Sequence, residues 1–159
     1  MAIHIRRAVE KDYEVYCDLF YEINELHRLA LPGTFQQPAG KIIDQEYFLS
    51  LLKDEQVAIF FAESEGRAAG FVFVLIRETP SNPLLVPRRY AVLDTLVVRL
   101  AFQRTGVGRA LMHEAEDWAA SQKVHVVELN VYEFNQGAQA FYERLGYATY
   151  SRKMSKKLT

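Results

Sequence analysis

Apolar and polar residues alternate over residues 3–8, Ile-His-Ile-Arg-Arg-Ala, which predicts an opening strand. From about Asp12 to Ala30 the period changes: Tyr13, Tyr16, Phe20, Ile23 and His27 recur at spacings of three and four, one face of a helix. Leu31-Pro32-Gly33 stops that helix, and 32–40 reads as a loop. Ile43, Tyr47 and Leu51 mark one side of a shorter helix over about 43–53. Val57 to Glu63 and Ala68 to Arg77 predict an antiparallel hairpin turning at Ser64-Glu65-Gly66-Arg67. Pro80, Pro83 and Pro87 make 78–90 a surface loop.

From Ala91 the pattern predicts a strand (91–98), a helix (about 105–122), a strand (124–131), a helix (135–145) and a strand (148–153). A strand–helix–strand unit of this length forces a parallel pair with a right-handed crossover. The expected fold class is α/β. One domain over 1–159 holds a mixed central sheet, antiparallel at its start and parallel at the centre, flanked by helices.

Composition narrows the function classes. Half the residues are hydrophobic, a quarter are charged, and the net charge of −1 gives no sequence-wide attraction to nucleic acid or acidic membranes. The basic clusters Arg88-Arg89 and Arg152 to Lys157 read as solvated surface. Cys17 is the only cysteine, so neither an intramolecular disulfide nor a multi-cysteine metal site can form. Residues 1–6 lack the apolar core of a signal peptide, and the longest apolar run, Phe71 to Ile76, is too short to span a bilayer. The expectation is a cytoplasmic protein with no membrane, nucleic-acid or metal partner.

Two stretches carry chemistry. In the first, Leu96-Val97-Val98 leads through Arg99 to Phe102 into Gln103-Arg104-Thr105-Gly106-Val107-Gly108-Arg109, an apolar strand followed by two glycines that open a helix. The first N–H groups of a helix have no intrahelical partner and sit at its positive end, which suits a phosphate or pyrophosphate. Arg104 and Arg109 could assist, and a glycine turn that only packs helix on sheet is the alternative. The P-loop fails for want of Gly-Lys-Ser/Thr, and Leu111 stands where a dinucleotide fingerprint needs its third Gly or Ala. In the second stretch, Asn135 can cap a helix that Gly146 ends, and Tyr142 follows Asn135 by two turns on the same face.

Taken together the two stretches resemble the GNAT N-acetyltransferase family. Gln103 to Gly108 is similar to its acyl-CoA motif Gln/Arg-x-x-Gly-x-Gly/Ala, and Asn135 to Tyr147 to its closing Asn-(six residues)-Tyr-Glu-x-Leu-Gly-Tyr/Phe. The resemblance implies a central parallel pair of strands that splay apart, with the pantetheine arm of acetyl-CoA lying between them along Leu96, Val97 and Val98. It implies a pyrophosphate on residues 104–109 and Asn135 near the pantetheine or acetyl end. The Val98 N–H would steady the thioester oxygen, and Tyr142 would protonate the departing thiolate.

The same resemblance implies direct attack by an amine, with no metal and no covalent enzyme intermediate. Asp94 is the expected general base, acting through water, with Glu128 as second candidate. Alternation puts Asp94 on the sheet face of Leu96 and Val98. Arg104 departs from the family, where many members have Gly. Cys17 is expected to pack against the core. A homodimer follows by family analogy. Acceptor choice is expected to fall to helix 12–30 and loops 31–42 and 78–90, with Glu25, His27, Phe35 and Tyr90 foremost. A non-catalytic acyl-CoA-binding module and a nucleotide-binding protein are the rival classes.

Overall fold

The computed structural model describes residues 2–159. Five strands form one sheet in the order β1-β2-β3-β4-β5. They are β1 (Ile3–Arg7), β2 (Val57–Ser64), β3 (Arg67–Glu78), β4 (Arg89–Val98) and β5 (Val127–Leu129). The first four are antiparallel neighbours, and β4 and β5 are parallel. Helices α1 (Tyr13–Ala30) and α2 (Gln45–Lys53) cover one face, and α3 (Val107–Ser121) and α4 (Gln136–Arg144) pack on the other. The expected mixed sheet is therefore present.

The apolar run of β2 reads as continuous because it is buried on both sides. Val57, Ile59 and Phe61 point to α1 and α2, while Ala58, Phe60 and Ala62 point to α3. The α1 side is aromatic: the Tyr16 ring centre lies 4.8 Å from that of Phe48 and 4.7 Å from that of Phe71. The α3 side is aliphatic, built on Val72, Val74, Leu93, Leu111 and Met112. Cys17 is buried on the aromatic side, as its place on the helix face suggests. Asp12 and Arg6 join β1 to the start of α1 through two hydrogen bonds of 2.8 Å, and Arg6 also reaches Glu63 at 2.8 Å.

The hairpin turn falls where expected, with Glu65 and Gly66 both at positive φ (53° and 71°), the two-residue geometry that matches strand twist. Other boundaries moved. Asp44 caps α2 by accepting from the Glu46 N–H at 2.8 Å, so that helix starts at Gln45. The proline loop is shorter than 78–90 because β3 and β4 keep pairing to Glu78 and Arg89.

The expected strand over 148–153 does not form. Residues 147–159 have no regular structure, and Tyr150 is exposed. Alternation of side chains describes two faces, but a strand also needs a neighbouring backbone to pair with.

Candidate active site

β4 meets its two neighbours very differently. Against β3 it pairs from Arg89 to Val98, and against β5 only at Ala91, Val92 and Leu93. Beyond Leu93 the β5 side of β4 has no strand partner among the described residues. The Arg99 N–H donates to the Ala69 carbonyl at 2.8 Å. Backbone groups alternate along a strand, so the N–H groups of Leu96 and Val98 face away from β3, into the open cleft. Gly70 permits the close approach that holds this half of β4: a Cβ there would lie 2.2 Å from the Val97 carbonyl oxygen.

The pairing register slips once. Phe73 faces Thr95 and Val74 faces Leu93, leaving Asp94 as an extra residue, a β-bulge. This overturns the expected placement of Asp94. Leu93, Leu96 and Val98 share the α3 side, whereas Asp94 lines a cavity on the α1/α2 side with Tyr16, Phe73 and Leu75. The signal was present: Ala91, Leu93, Leu96 and Val98 are spaced two, three and two apart. Thr95 donates to the Asp94 carboxylate at 2.8 Å.

At the end of β4 a 3-10 turn (Leu100–Phe102) leads into the glycine loop. Gln103 donates a side-chain hydrogen bond of 3.3 Å to the Val98 carbonyl, tying loop to strand. Gly106 sits at φ 93° as the cap of α3, a conformation glycine adopts without strain. Arg104 stands at φ 60°, also left-handed, where a Cβ costs energy. The two glycines divide the two sequence readings between them. Gly108 is small for packing, since a Cβ there would meet the Phe141 ring at 3.2 Å and the Val98 side chain at 3.6 Å. The Val107, Gly108 and Arg109 N–H groups open α3 and have no intrahelical acceptor, whereas the Ala110 N–H is the first to bond back, to Gly106 at 3.0 Å.

Asn135 caps α4: its side-chain oxygen accepts from the Ala138 N–H at 3.1 Å, which leaves its amide NH2 to donate elsewhere. Tyr142 is half-buried against the α3-side core, between Phe141 and Tyr147, whose ring centres lie 5.3 and 5.9 Å away. Burial pushes the Tyr142 phenol up to about 12, so it holds its proton throughout the neutral range. Tyr147 is anchored by a 2.9 Å hydrogen bond to Glu116, which backs the Tyr142 ring with a fixed neighbour.

Of the other expected residues, Glu128 lies opposite Val92 and accepts a hydrogen bond from Arg88 at 2.6 Å. Its carboxylate is already engaged. Glu25 is held by Arg28 at 2.7 Å, and Tyr90 lies under the Arg88 guanidinium at 4.2 Å. The His27 and Phe35 rings meet at a tilt, their centres 5.1 Å apart, within an aromatic cluster that includes Tyr132 and Phe134, just before Asn135. The cavity beside Asp94 lies elsewhere, with a volume of about 370 Å³. Tyr16, Tyr47 and Arg77 line it, and sequence reasoning did not single them out for chemistry because Tyr16 and Tyr47 fall on the regular apolar stripes of their helices. No helix among the described residues is long and apolar enough to cross a membrane.

Comparison with known proteins places this geometry in a family. The model of the acetyltransferase (GNAT) family matches residues 20–147. An uncharacterized N-acetyltransferase of Methanocaldococcus jannaschii is 34% identical over 101 residues, which are 64% of this chain but only 43% of that protein. An N-alpha-acetyltransferase of Sulfurisphaera tokodaii is 29% identical over 133 residues, 79% of this chain and 72% of that protein. A crystal structure of a mutant protein from Bacillus halodurans superposes with a TM-score of 0.91 at 24% identity, over 98% of this chain and 99% of that one. An aminoglycoside N-acetyltransferase in complex with CoA shares the fold at a TM-score of 0.72 and 18% identity, over 98% of this chain and 99% of that one. The chain belongs to the GNAT family of acetyltransferases.

Proposed function

We propose that the protein transfers the acetyl group of acetyl-CoA to a primary amine by direct attack in a ternary complex. The observation that carries this reading is the open edge of β4, whose Leu96 and Val98 N–H groups face a cleft ending at the free N–H groups of α3. An extended arm bearing amides can add there like a strand. Its pyrophosphate would meet residues 104–109, Arg104 and Arg109 included, while Gln103 and Thr105 hold the loop in shape. Acetyl-CoA, when bound, supplies the activated acyl carbon.

The chain's own residues then have separate tasks. The Val98 N–H donates to the thioester oxygen as charge develops. Asp94, through water, takes the proton that an ammonium must lose, since an amine of pKa ~10.4 is almost wholly protonated at neutral pH. The amine nitrogen forms the new C–N bond as C–S breaks, and Tyr142 gives its proton to the leaving sulfur. A phenol kept protonated by burial suits that role, and Asn135 would hold the carrier through its free amide. The Tyr142 and Asp94 assignments belong to this proposal, as does a homodimer by family analogy. Neither nucleic acid nor membrane belongs to it.

The test is release of free thiol from acetyl-CoA against a panel of amines, with Tyr142→Phe beside the parent. Amine-dependent release is expected, with kcat about 10²-fold lower in the variant and its acetyl-CoA affinity within twofold. Binding of acetyl-CoA with no release for any amine would favour the non-catalytic module, and no binding would defeat both readings.

A further inference from the structure

Three charged side chains line the cavity at Asp94. Asp94 and Asp54 are carboxylates, and Arg77 is a guanidinium that makes no ion pair or hydrogen bond among the described residues. Asp54 spends one oxygen on the Gln56 N–H at 2.8 Å, and Asp94 one on Thr95. Opposite charges thus line one cavity without neutralising each other.

A second observation is independent of these charges. Tyr16 is fully buried, and its hydroxyl has no hydrogen-bond partner. Leaving a buried hydroxyl unpaired is unfavourable, because it loses its water without gaining a partner. Tyr16 lines the cavity together with Asp94 and Tyr47, and burial, with the Asp94 carboxylate after it, pushes its phenol well above the ordinary range. A polar atom kept unsatisfied against a cavity is poised for a ligand.

Shape adds a third constraint. At about 370 Å³ the cavity is near the lower end of ligand sites, which run from roughly 300 to 1,000 Å³. Phe20, Phe73, Leu51 and Leu75 make its apolar walls. Arg77 pairs with Tyr90 on the sheet and Asp94 bulges opposite Phe73 and Val74, so their backbones stand three to four residues apart along the strands. At ~3.3 Å per residue that is roughly 11 Å, a gap that the long arginine side chain shortens to the length of a small molecule.

We propose that this cavity is the acceptor site and that the acceptor is a small amine bearing a carboxylate, of the amino-acid class. The ammonium lies by Asp94 and the Tyr16 hydroxyl, at the bulge where the β4–β5 cleft begins, and the carboxylate pairs with Arg77. Asp94 is the one group that belongs both to this cavity and to the strand along which the acyl carrier would lie. The inference rests on the proposed transferase reading, and it moves acceptor selection from His27 and Phe35 to Arg77 and Tyr16.

The test uses apolar amino acids of increasing length between amine and carboxylate, each beside the decarboxylated amine of the same skeleton. Calorimetry in the presence of CoA reads binding, and thiol release from acetyl-CoA reads turnover. The parent is expected to bind at least one amino acid tenfold or more tighter than its decarboxylated partner. Arg77→Ala should erase that difference, Arg77→Lys should restore part of it, and Tyr16→Phe should weaken both ligands while leaving Tm unchanged or higher. Equal binding of the paired ligands by the parent, binding of neither, or insensitivity to Arg77→Ala would overturn the proposal. The two readings fail separately: amine turnover indifferent to Arg77 sinks the pocket and spares the transferase, whereas amino-acid binding lost in Arg77→Ala but without turnover does the reverse.

Discussion

The two edges of β4 are made of the same residues, yet one is closed and the other is open. Along β3 its pairing runs the length of the strand, over a core that includes Phe71 and Val72, both fully buried. Along β5 the pairing stops after three residues, and the backbone of Leu96 and Val98 is left facing a cleft. The closed edge supplies the rigidity that lets the open edge keep unpaired N–H groups in place, since a lone strand would not hold them. Stability and function are thus assigned to opposite sides of one strand, and the bulge at Asp94 marks the change.

Gly70→Val should break the closed edge most severely. The Cβ meets the Val97 carbonyl, a backbone atom that cannot turn aside, so β3 and β4 must part at a cost of about 3 kcal/mol. Urea denaturation should show the lowered midpoint, and an unchanged midpoint would mean that the strands separate more easily than described. As a control, Gly137→Ala in α4 meets nothing within 4 Å and should stabilise by about 1 kcal/mol.

A smaller loss is expected at the far end of the closed half. Burial pushes the Asp12 carboxyl up, but the hydrogen bonds from Arg6 and the Val9 N–H outweigh it, and the group stays below the usual carboxylate range. Its contribution is therefore present above its unfolded value of about 3.9 and is lost as pH falls through its folded value. Asp12→Ala should cost about 2 kcal/mol at pH 7 and should show a shallower acid limb in Tm below the unfolded value of about 3.9. Parallel acid limbs in the two proteins would contradict this.

The open half offers the smallest effect, and a gain. Arg104 at φ 60° carries the cost of a left-handed side chain, so Arg104→Gly should stabilise the fold by about 1 kcal/mol. The same change should weaken acetyl-CoA binding if the guanidinium serves the pyrophosphate. A loss of stability instead would show that Arg104 packs in a way its backbone does not reveal.

Much of this was readable from the chain. The hairpin at Glu65-Gly66, the aromatic face of α1 and the cap at Asn135 follow from local chemistry, because turn, period and capping act within a few residues. The open cleft followed only from the family resemblance, because pairing is a relation between distant segments. The failed strand at 148–153 has the same cause. Asp94 was assigned to the wrong face because strict alternation was assumed through the one place where it breaks. The cavity was illegible for a different reason: it combines Tyr16 of α1, Tyr47 of α2, Arg77 of β3 and Asp94 of β4, each ordinary on its own element.

The claim that the open edge of β4 receives an acyl carrier can be examined at single amides. Hydrogen exchange should be measured by NMR for Leu96, Val97, Val98 and Arg99, with and without acetyl-CoA. The Val97 and Arg99 amides face β3 and should be protected in both states. Leu96 and Val98 should exchange quickly in the free protein and slow by tenfold or more when acetyl-CoA is present. Unchanged exchange at Leu96 and Val98 under saturating acetyl-CoA would contradict the account.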